Sequence, residues 1–142
     1  MEVSDLKYFV QKTLEQPHLL GWLDLSSNYL DKVPSELIEF PNLCILYLHG
    51  NIIQKLVYVK RLIPLKKLYS LTMHGNPVED DAHYKNYILH FLPQLKTLDF
   101  ITVLPCERMV PPPPPAVLAE EEPAGFTGTE EEMLSLLKKM KS

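Results

Sequence analysis

Two histidines and a serine–aspartate pair are the side chains of this sequence whose types and spacing could do chemistry. His49 and His74 are 25 residues apart, and each is followed by Gly-Asn. Two imidazoles can begin a zinc site, but zinc takes three or four protein ligands and no third ligand stands in phase with this pair. Ser26, His49 and Asp24 include the residue types of a hydrolytic triad, yet no oxyanion-hole or pocket motif accompanies them. The sequence therefore predicts no catalytic residue, no metal site and no cofactor, and it favours a contact role for these side chains.

A repeated spacing of leucine and asparagine must position these residues. Three segments share one frame of five anchors: Leu20-Leu23-Leu25-Asn28-Leu30, Leu43-Leu46-Leu48-Asn51-Ile53 and Leu68-Leu71-Met73-Asn76-Val78. The asparagines are 23 and 25 residues apart, within the period of about 20–29 residues that is typical of leucine-rich repeats. The predicted fold is α/β: a short right-handed leucine-rich-repeat solenoid with a parallel concave sheet, convex helices or 3₁₀ turns, and a C-terminal cap helix.

The repeat frame assigns two kinds of role. Asn28, Asn51 and Asn76 follow the strands, where an inward amide can satisfy the backbone groups of a sharp turn, so we predict a structural asparagine ladder. The residues between the leucines point away from the core and onto the concave sheet. The predicted protein-binding residues on this face are Trp22, Asp24, Ser26, Ile45, Tyr47, His49, Thr72, His74 and Asp99.

The chain divides into four predicted segments. Residues 1–17 have the helical spacing of a convex half-repeat, and residues 18–104 hold the repeats with a cap helix at about 80–92. Residues 105–128 are predicted to be a disordered, proline-rich acidic linker, with its five-proline run acting as a spacer rather than an SH3 or profilin ligand. Residues 129–142 are predicted to form a short amphipathic helix. Its apolar face comprises Met133, Leu136, Leu137 and Met140.

The first predicted strand, around Trp22–Leu25, is expected at an open edge of the sheet. Solenoid ends need a cover, which the first segment, another chain or an upstream repeat could supply. A lost upstream repeat is the favoured interpretation. The second repeat also carries a basic outer face, for which a solvated surface is favoured over a patch for an acidic partner. The basic residues are Lys55, Lys60, Arg61, Lys66 and Lys67.

Composition excludes several classes of protein. The formal net charge is −4, with 14 Lys and Arg against 18 Asp and Glu, which does not favour direct nucleic-acid binding. The two cysteines, Cys44 and Cys106, do not form the cysteine-rich caps of secreted repeat proteins, so free thiols in a reducing compartment are expected. The sequence shows no signal peptide and no apolar run of membrane-spanning length. We therefore expect a cytoplasmic protein with no membrane partner.

The third repeat and the segment after it resemble a known family. The segments Tyr84–Ile88 and Leu92–Asp99 are similar to the C-terminal cap of small intracellular leucine-rich-repeat proteins, a cap shared by the spliceosomal A-prime protein, phosphatase-regulatory proteins and several ciliary proteins. The segments Leu46–Asn51 with Ile53-Gln54, Leu71–Pro77 and Asp99-Phe100 resemble the leucine-rich repeat-containing protein 51 family. The resemblance covers about residues 4–104, and the proline-rich segment and the C-terminal residues have no counterpart in it.

The resemblance implies a non-enzymatic scaffold with a protein partner in the axoneme of cilia or flagella. The alternative is a soluble regulatory subunit of a cytosolic enzyme or of a ribonucleoprotein. The sequence leaves the partner and the oligomeric state open.

Overall fold

Five short strands form one sheet in chain order in a computed structural model that describes residues 17–123. They are β1 (Trp22–Asp24), β2 (Ile45–Tyr47), β3 (Ser70–Thr72), β4 (Thr97–Leu98) and β5 (Ile101–Thr102). β1 to β4 pair in parallel, and β5 turns back antiparallel to β4. The predicted helix over residues 1–16, the end of the predicted linker (124–128) and the predicted helix over 129–142, with Met133, Leu136, Leu137 and Met140, lie outside the described residues.

One buried leucine in each parallel strand holds the repeats together. Leu23, Leu46, Leu71 and Leu98 stand in register across the sheet, and each is 5% exposed or less. Their neighbours in the strands point to the opposite face, because side chains alternate along a strand. One repeat cannot bury its leucines alone, so the repeats must stack to form a continuous core. Truncating a leucine such as Leu46 to alanine is expected to cost about 2–5 kcal/mol.

The convex side consists of short helical segments, as the sequence predicts. The 3₁₀ segments are Ser35–Glu39, Leu56–Leu62 and Pro77–Asp80, and the one α-helix of the repeat body, which we term the cap helix, runs over Tyr84–Phe91. The 3₁₀ form suits connections too short for several α-helical turns. The predicted α/β solenoid with a parallel sheet is therefore confirmed.

The segment after the repeats differs from its prediction. Residues 105–123, which we term the convex strap, are not a disordered linker: they form short helices at Pro105–Arg108 and Pro115–Leu118 and run back along the convex side. Pro113 is buried, and Val117 and Leu118 pack against the core. The expected spacer thus contributes its own apolar side chains to packing, a contribution that its composition does not indicate.

Two cations of the predicted basic face fix the convex strap. Lys60 Nζ donates hydrogen bonds to the carbonyl oxygens of Leu118 at 2.7 Å and Glu120 at 2.9 Å. Arg61 Nε donates to the Glu122 carboxylate at 2.8 Å, and the same two groups form a salt bridge. The sequence favoured a solvated surface for these two side chains. They instead bind the chain's own convex strap.

A buried tyrosine of the cap helix lies at the same side. The Tyr87 side chain is 1% exposed, and its hydroxyl has no hydrogen-bond partner among the described residues. Burial, together with the negative charge of Glu120, raises the pKa of Tyr87 to about 12. The hydroxyl therefore stays neutral at physiological pH, because an ionised phenolate would be poorly solvated there.

Candidate functional site

The register of the sheet sets the outward-facing side chains side by side on the concave surface. Trp22 stands beside Ile45, and Ile45 beside Ser70. One step along, Asp24 stands beside Tyr47. Adjacent strands are about 4.8 Å apart, so side chains at paired positions are in contact range. The pairing of the strands therefore sets the spacing between the side chains on the concave face.

Five rings form a continuous aromatic surface on this face. Trp22 packs edge-on against Tyr47 with ring centroids 6.1 Å apart, and Tyr47 packs against Phe100 at 5.2 Å. His49 and His74 stack in parallel, with centroids 4.8 Å apart and an interplanar angle of 4°. Phe100 contacts both imidazoles at 5.7 Å. We term these five residues the aromatic surface.

Phe100 is the member of the aromatic surface that sequence reasoning missed. It forms, with Asp99, the two-residue turn between β4 and β5, and the two residues have φ values of 54° and 67°. Positive φ at both positions defines a type I′ turn, for which Asn-Gly and Asp-Gly are the usual dipeptides. Asp-Phe carries no such signal, so the sequence does not indicate that the Phe100 ring, 58% exposed, lies over the face.

The Thr72 side chain is buried at the concave face and is not exposed there, contrary to its prediction as a contact residue. Leu48 N–H donates to its hydroxyl oxygen at 3.2 Å, and His49 Nδ1 lies 2.7 Å from the same oxygen. Thr72 therefore orients the His49 ring and cannot itself reach a partner.

Asp99 is also structural rather than exposed on the concave face. Its Oδ1 accepts hydrogen bonds from Met73 N–H at 2.7 Å and His74 N–H at 3.0 Å, and its Oδ2 accepts one from the Tyr84 hydroxyl at 2.6 Å. In the preceding repeat the equivalent N–H, that of Leu48, donates to a strand carbonyl. The Asp99 carboxylate therefore takes the place of the next strand where the chain turns away. Burial and this carboxylate raise the pKa of Tyr84 far above its usual value.

The asparagines behind the strands bond to the neighbouring repeats. Asn51 Oδ1 accepts from the N–H groups of Asn28 at 2.8 Å and Leu30 at 3.0 Å, and Asn51 Nδ2 donates to the carbonyls of Leu25 at 3.1 Å and Leu48 at 2.9 Å. Its side chain is 3% exposed. These bonds satisfy backbone groups that would otherwise be buried without partners.

The other two asparagines differ in how completely they bond. Asn76 accepts from Ile53 N–H at 3.0 Å and donates to the carbonyls of Leu48 and Met73. Asn28 donates to the Ser26 carbonyl at 3.0 Å, and no described residue donates to its Oδ1. The first rung, beside the edge strand β1, is therefore the least satisfied of the three.

Ser26, Asp24 and His49 do not form a hydrolytic arrangement. The Ser26 hydroxyl donates to Asp24 Oδ1 at 2.6 Å, whereas His49 Nδ1 is engaged by Thr72. A triad needs the histidine between the serine and the acid. Within residues 17–123, no three His, Cys, Asp or Glu side chains cluster as metal ligands would. The geometry therefore offers contact chemistry: aromatic faces, imidazole edges and one exposed carboxylate.

The chain belongs to the leucine-rich-repeat proteins. A family model described as "Leucine-rich repeat" matches residues 5–110. In the part of the chain that the structure describes, no helix has the length and apolarity needed to cross a membrane. Solenoids of this class present a concave surface to their partners.

Within this class the chain is similar to leucine-rich repeat-containing protein 51. The Bos taurus protein is 44% identical over 107 residues, which cover 75% of this chain and 56% of that protein. The Homo sapiens protein is 42% identical over the same shares. The resemblance expected from the sequence is therefore confirmed. The chain spans little more than half the length of these relatives.

Ribonucleoprotein and other proteins share the fold. The U2 small nuclear ribonucleoprotein A′ of Arabidopsis thaliana is 30% identical over 76% of this chain and 44% of that protein. The Drosophila melanogaster SNF/U2A′ complex includes a chain that superposes with a TM-score of 0.61 at 27% identity, covering 85% of this chain and 63% of that one. The Chaetomium Mex67:Mtr2 structure gives 0.59 at 23% identity, with 74% and 73% covered, and shows the fold alone.

Proposed function

We propose that this protein is a non-enzymatic interaction scaffold that holds a protein partner on its concave face. The observation that carries the proposal is the aromatic surface. Trp22 is 56% exposed and Phe100 is 58% exposed, although an isolated globular domain usually buries rings of this size. Exposed aromatic side chains on a rigid scaffold are typical anchors of protein interfaces.

The proposed setting is the axoneme of a cilium or flagellum. Its support is the sequence resemblance to ciliary proteins that share the C-terminal cap. The test is the location of the tagged chain in ciliated cells before and after detergent extraction. Retention along the extracted axoneme is expected. Diffuse and fully extractable protein would contradict the axonemal setting.

The same cells can locate the interface. A Tyr47→Ala variant removes the central ring of the aromatic surface, and we expect it to lose retention. Ile38→Ser is the matched control, because Ile38 is an exposed apolar residue on the convex 3₁₀ segment and should be dispensable for concave binding. Equal retention of the Tyr47→Ala variant and the parent protein would contradict binding through the concave face.

The second candidate is a regulatory subunit of a ribonucleoprotein. The similarity to U2 small nuclear ribonucleoprotein A′ and to the SNF/U2A′ complex favours it. A nuclear, detergent-soluble pool that co-purifies with ribonucleoprotein particles would support this candidate over the axonemal scaffold.

A further inference from the structure

One end of the aromatic surface carries a carboxylate with an open oxygen. Asp24 lies two residues after Trp22 on β1 and stands in register with Tyr47 on β2. Its Oδ1 accepts hydrogen bonds from the Ser26 N–H at 2.9 Å and the Ser26 hydroxyl at 2.6 Å. Among the described residues nothing donates to Oδ2. The group is therefore held through one oxygen, and the exposed side chain lies on the same face of the sheet as Trp22 and Tyr47.

Asp24 is charged at neutral pH. Burial is the largest single influence and raises the pKa of Asp24, but the two hydrogen bonds from Ser26 and the nearby His49 together outweigh it, so the pKa lies below its usual value. A carboxylate that is both oriented and ionised can accept charge-assisted hydrogen bonds, which are stronger than neutral ones.

The strands of the concave sheet place no lysine or arginine beside this carboxylate. None of the five strands contains lysine or arginine. Lys60 and Arg61 belong to the convex 3₁₀ segment Leu56–Leu62 and bind the convex strap. Within the described residues, the Asp24 carboxylate is therefore available to a cationic side chain of a partner.

We propose that Trp22, Asp24, Tyr47 and Phe100 form a recognition site for an arginine side chain presented by a segment of the partner protein. The planar guanidinium group stacks on aromatic faces and forms paired hydrogen bonds with a carboxylate, and it meets both features here. Lysine carries a compact charge without a stacking plane and fits the site less well. This inference rests on the proposed function, because it names the chemistry of the partner that the concave face holds.

The backbone at Phe100 supports a binding role for its ring. Glycine or asparagine is the usual residue at a left-handed position, and phenylalanine there is strained. Such strain is retained where the surrounding structure or the function requires it. In the described structure the Phe100 ring lies on the aromatic surface and remains 58% exposed, so core burial does not account for it. Phe100→Gly should therefore keep the fold and remove only the ring.

The test uses the full chain and a probe that requires no knowledge of the partner. Random peptides displayed on phage are selected against the immobilised protein, and the recovered peptides are synthesised. We expect them to share an arginine, and we expect its replacement by citrulline, which is neutral and nearly isosteric, to weaken binding at least about tenfold. Asp24→Asn and Phe100→Gly should each weaken binding similarly while the melting temperature is kept. Glu39→Gln, an exposed acid on a convex 3₁₀ segment, is the matched control and should change nothing.

Three outcomes would overturn the inference, and they separate it from the proposed function. In the first outcome, the recovered peptides no longer bind the Tyr47→Ala variant but still bind after citrulline replacement or Asp24→Asn. That result would contradict the arginine site and support the concave scaffold. Failure to recover any peptide sensitive to Tyr47→Ala would contradict both. Salt-sensitive binding of a single-stranded RNA oligonucleotide that is lost with Tyr47→Ala would identify a stacking surface for bases instead.

Discussion

Replacing Asn51 by leucine removes the most completely bonded rung of the asparagine ladder. Four hydrogen bonds of 3.1 Å or less are lost, which leaves two buried N–H groups and the Leu25 carbonyl without their partner, while the Leu48 carbonyl keeps its bond from Asn76. A net hydrogen bond contributes about 0.5–1.5 kcal/mol, and stranding a buried group costs about 1–3 kcal/mol. After allowance for the apolar burial that leucine gains, we expect Asn51→Leu to lower the free energy of unfolding by about 3 kcal/mol or more.

Asn28 supplies a matched control for this substitution. It occupies the same position in its repeat and has the same side chain, but within the described residues that side chain makes one hydrogen bond, to the Ser26 carbonyl. Asn28→Leu should therefore cost only about 1 kcal/mol. Urea unfolding of both variants and the parent protein, followed by circular dichroism, measures the difference through the midpoints at a common slope.

The comparison can refute the ladder outright. Equal losses in the two variants would mean that the number of bonds per asparagine does not determine stability. A loss below about 1 kcal/mol in Asn51→Leu would mean that water or a backbone shift readily replaces the amide.

Three further changes test other features of the structure. Tyr84→Phe removes the hydroxyl that donates to Asp99 at 2.6 Å and should cost about 1–2 kcal/mol in urea unfolding. Tyr87 has a pKa of about 12 in the folded protein, above its ordinary 10.0. The stability that its protonation contributes is therefore complete below pH 10 and is lost as the pH rises toward 12. Tyr87→Phe should flatten this alkaline loss of stability and be neutral or stabilising at pH 7. Removal of residues 111–142 should leave the repeats folded but lower the melting temperature more than removal of residues 124–142, because only the longer deletion takes away the packed part of the convex strap.

Each of these has a result that would count against it. A Tyr84→Phe variant as stable as the parent would show that the Asp99 carboxylate is satisfied without the hydroxyl. An unchanged alkaline slope in Tyr87→Phe would remove this tyrosine as the group responsible. Equal melting temperatures for the two truncations would show that the strap contacts contribute nothing in solution.

The repeats could be read from the sequence because their signal is periodic. Leucines at fixed spacing define which residues face the core, and strand alternation then assigns the others to the concave face. The structure accordingly pairs Trp22 with Ile45 and Asp24 with Tyr47. Burial within the face is not periodic: Thr72 occupies an outward position but is covered, because His49 of the adjacent repeat engages its hydroxyl.

The features that escaped prediction depend on contacts distant in sequence. The turn at Asp99 and Phe100 uses left-handed backbone without glycine. It is held by hydrogen bonds from His74, which follows β3, and from Tyr84 of the cap helix, and no local sequence pattern indicates these bonds. The convex strap is similar. Its prolines and acids have the composition of a linker, and it is ordered because Lys60 and Arg61, about 60 residues earlier, provide partners.

The turn at Asp99 restricts where further repeats can be added to the solenoid. The Asp99 carboxylate accepts the N–H groups of Met73 and His74, which follow β3, and the antiparallel β5 lies beside β4, where a further parallel strand would have to pair. Additional repeats placed after β4 would have to displace both. Insertions that preserve the frame between β1 and β3 would meet no such obstacle, because β1–β2 and β2–β3 both pair in parallel and in equivalent register. The number of repeats in a solenoid of this kind can therefore change at one side of the cap only, and the concave face can lengthen while its C-terminal end, with Phe100, remains fixed.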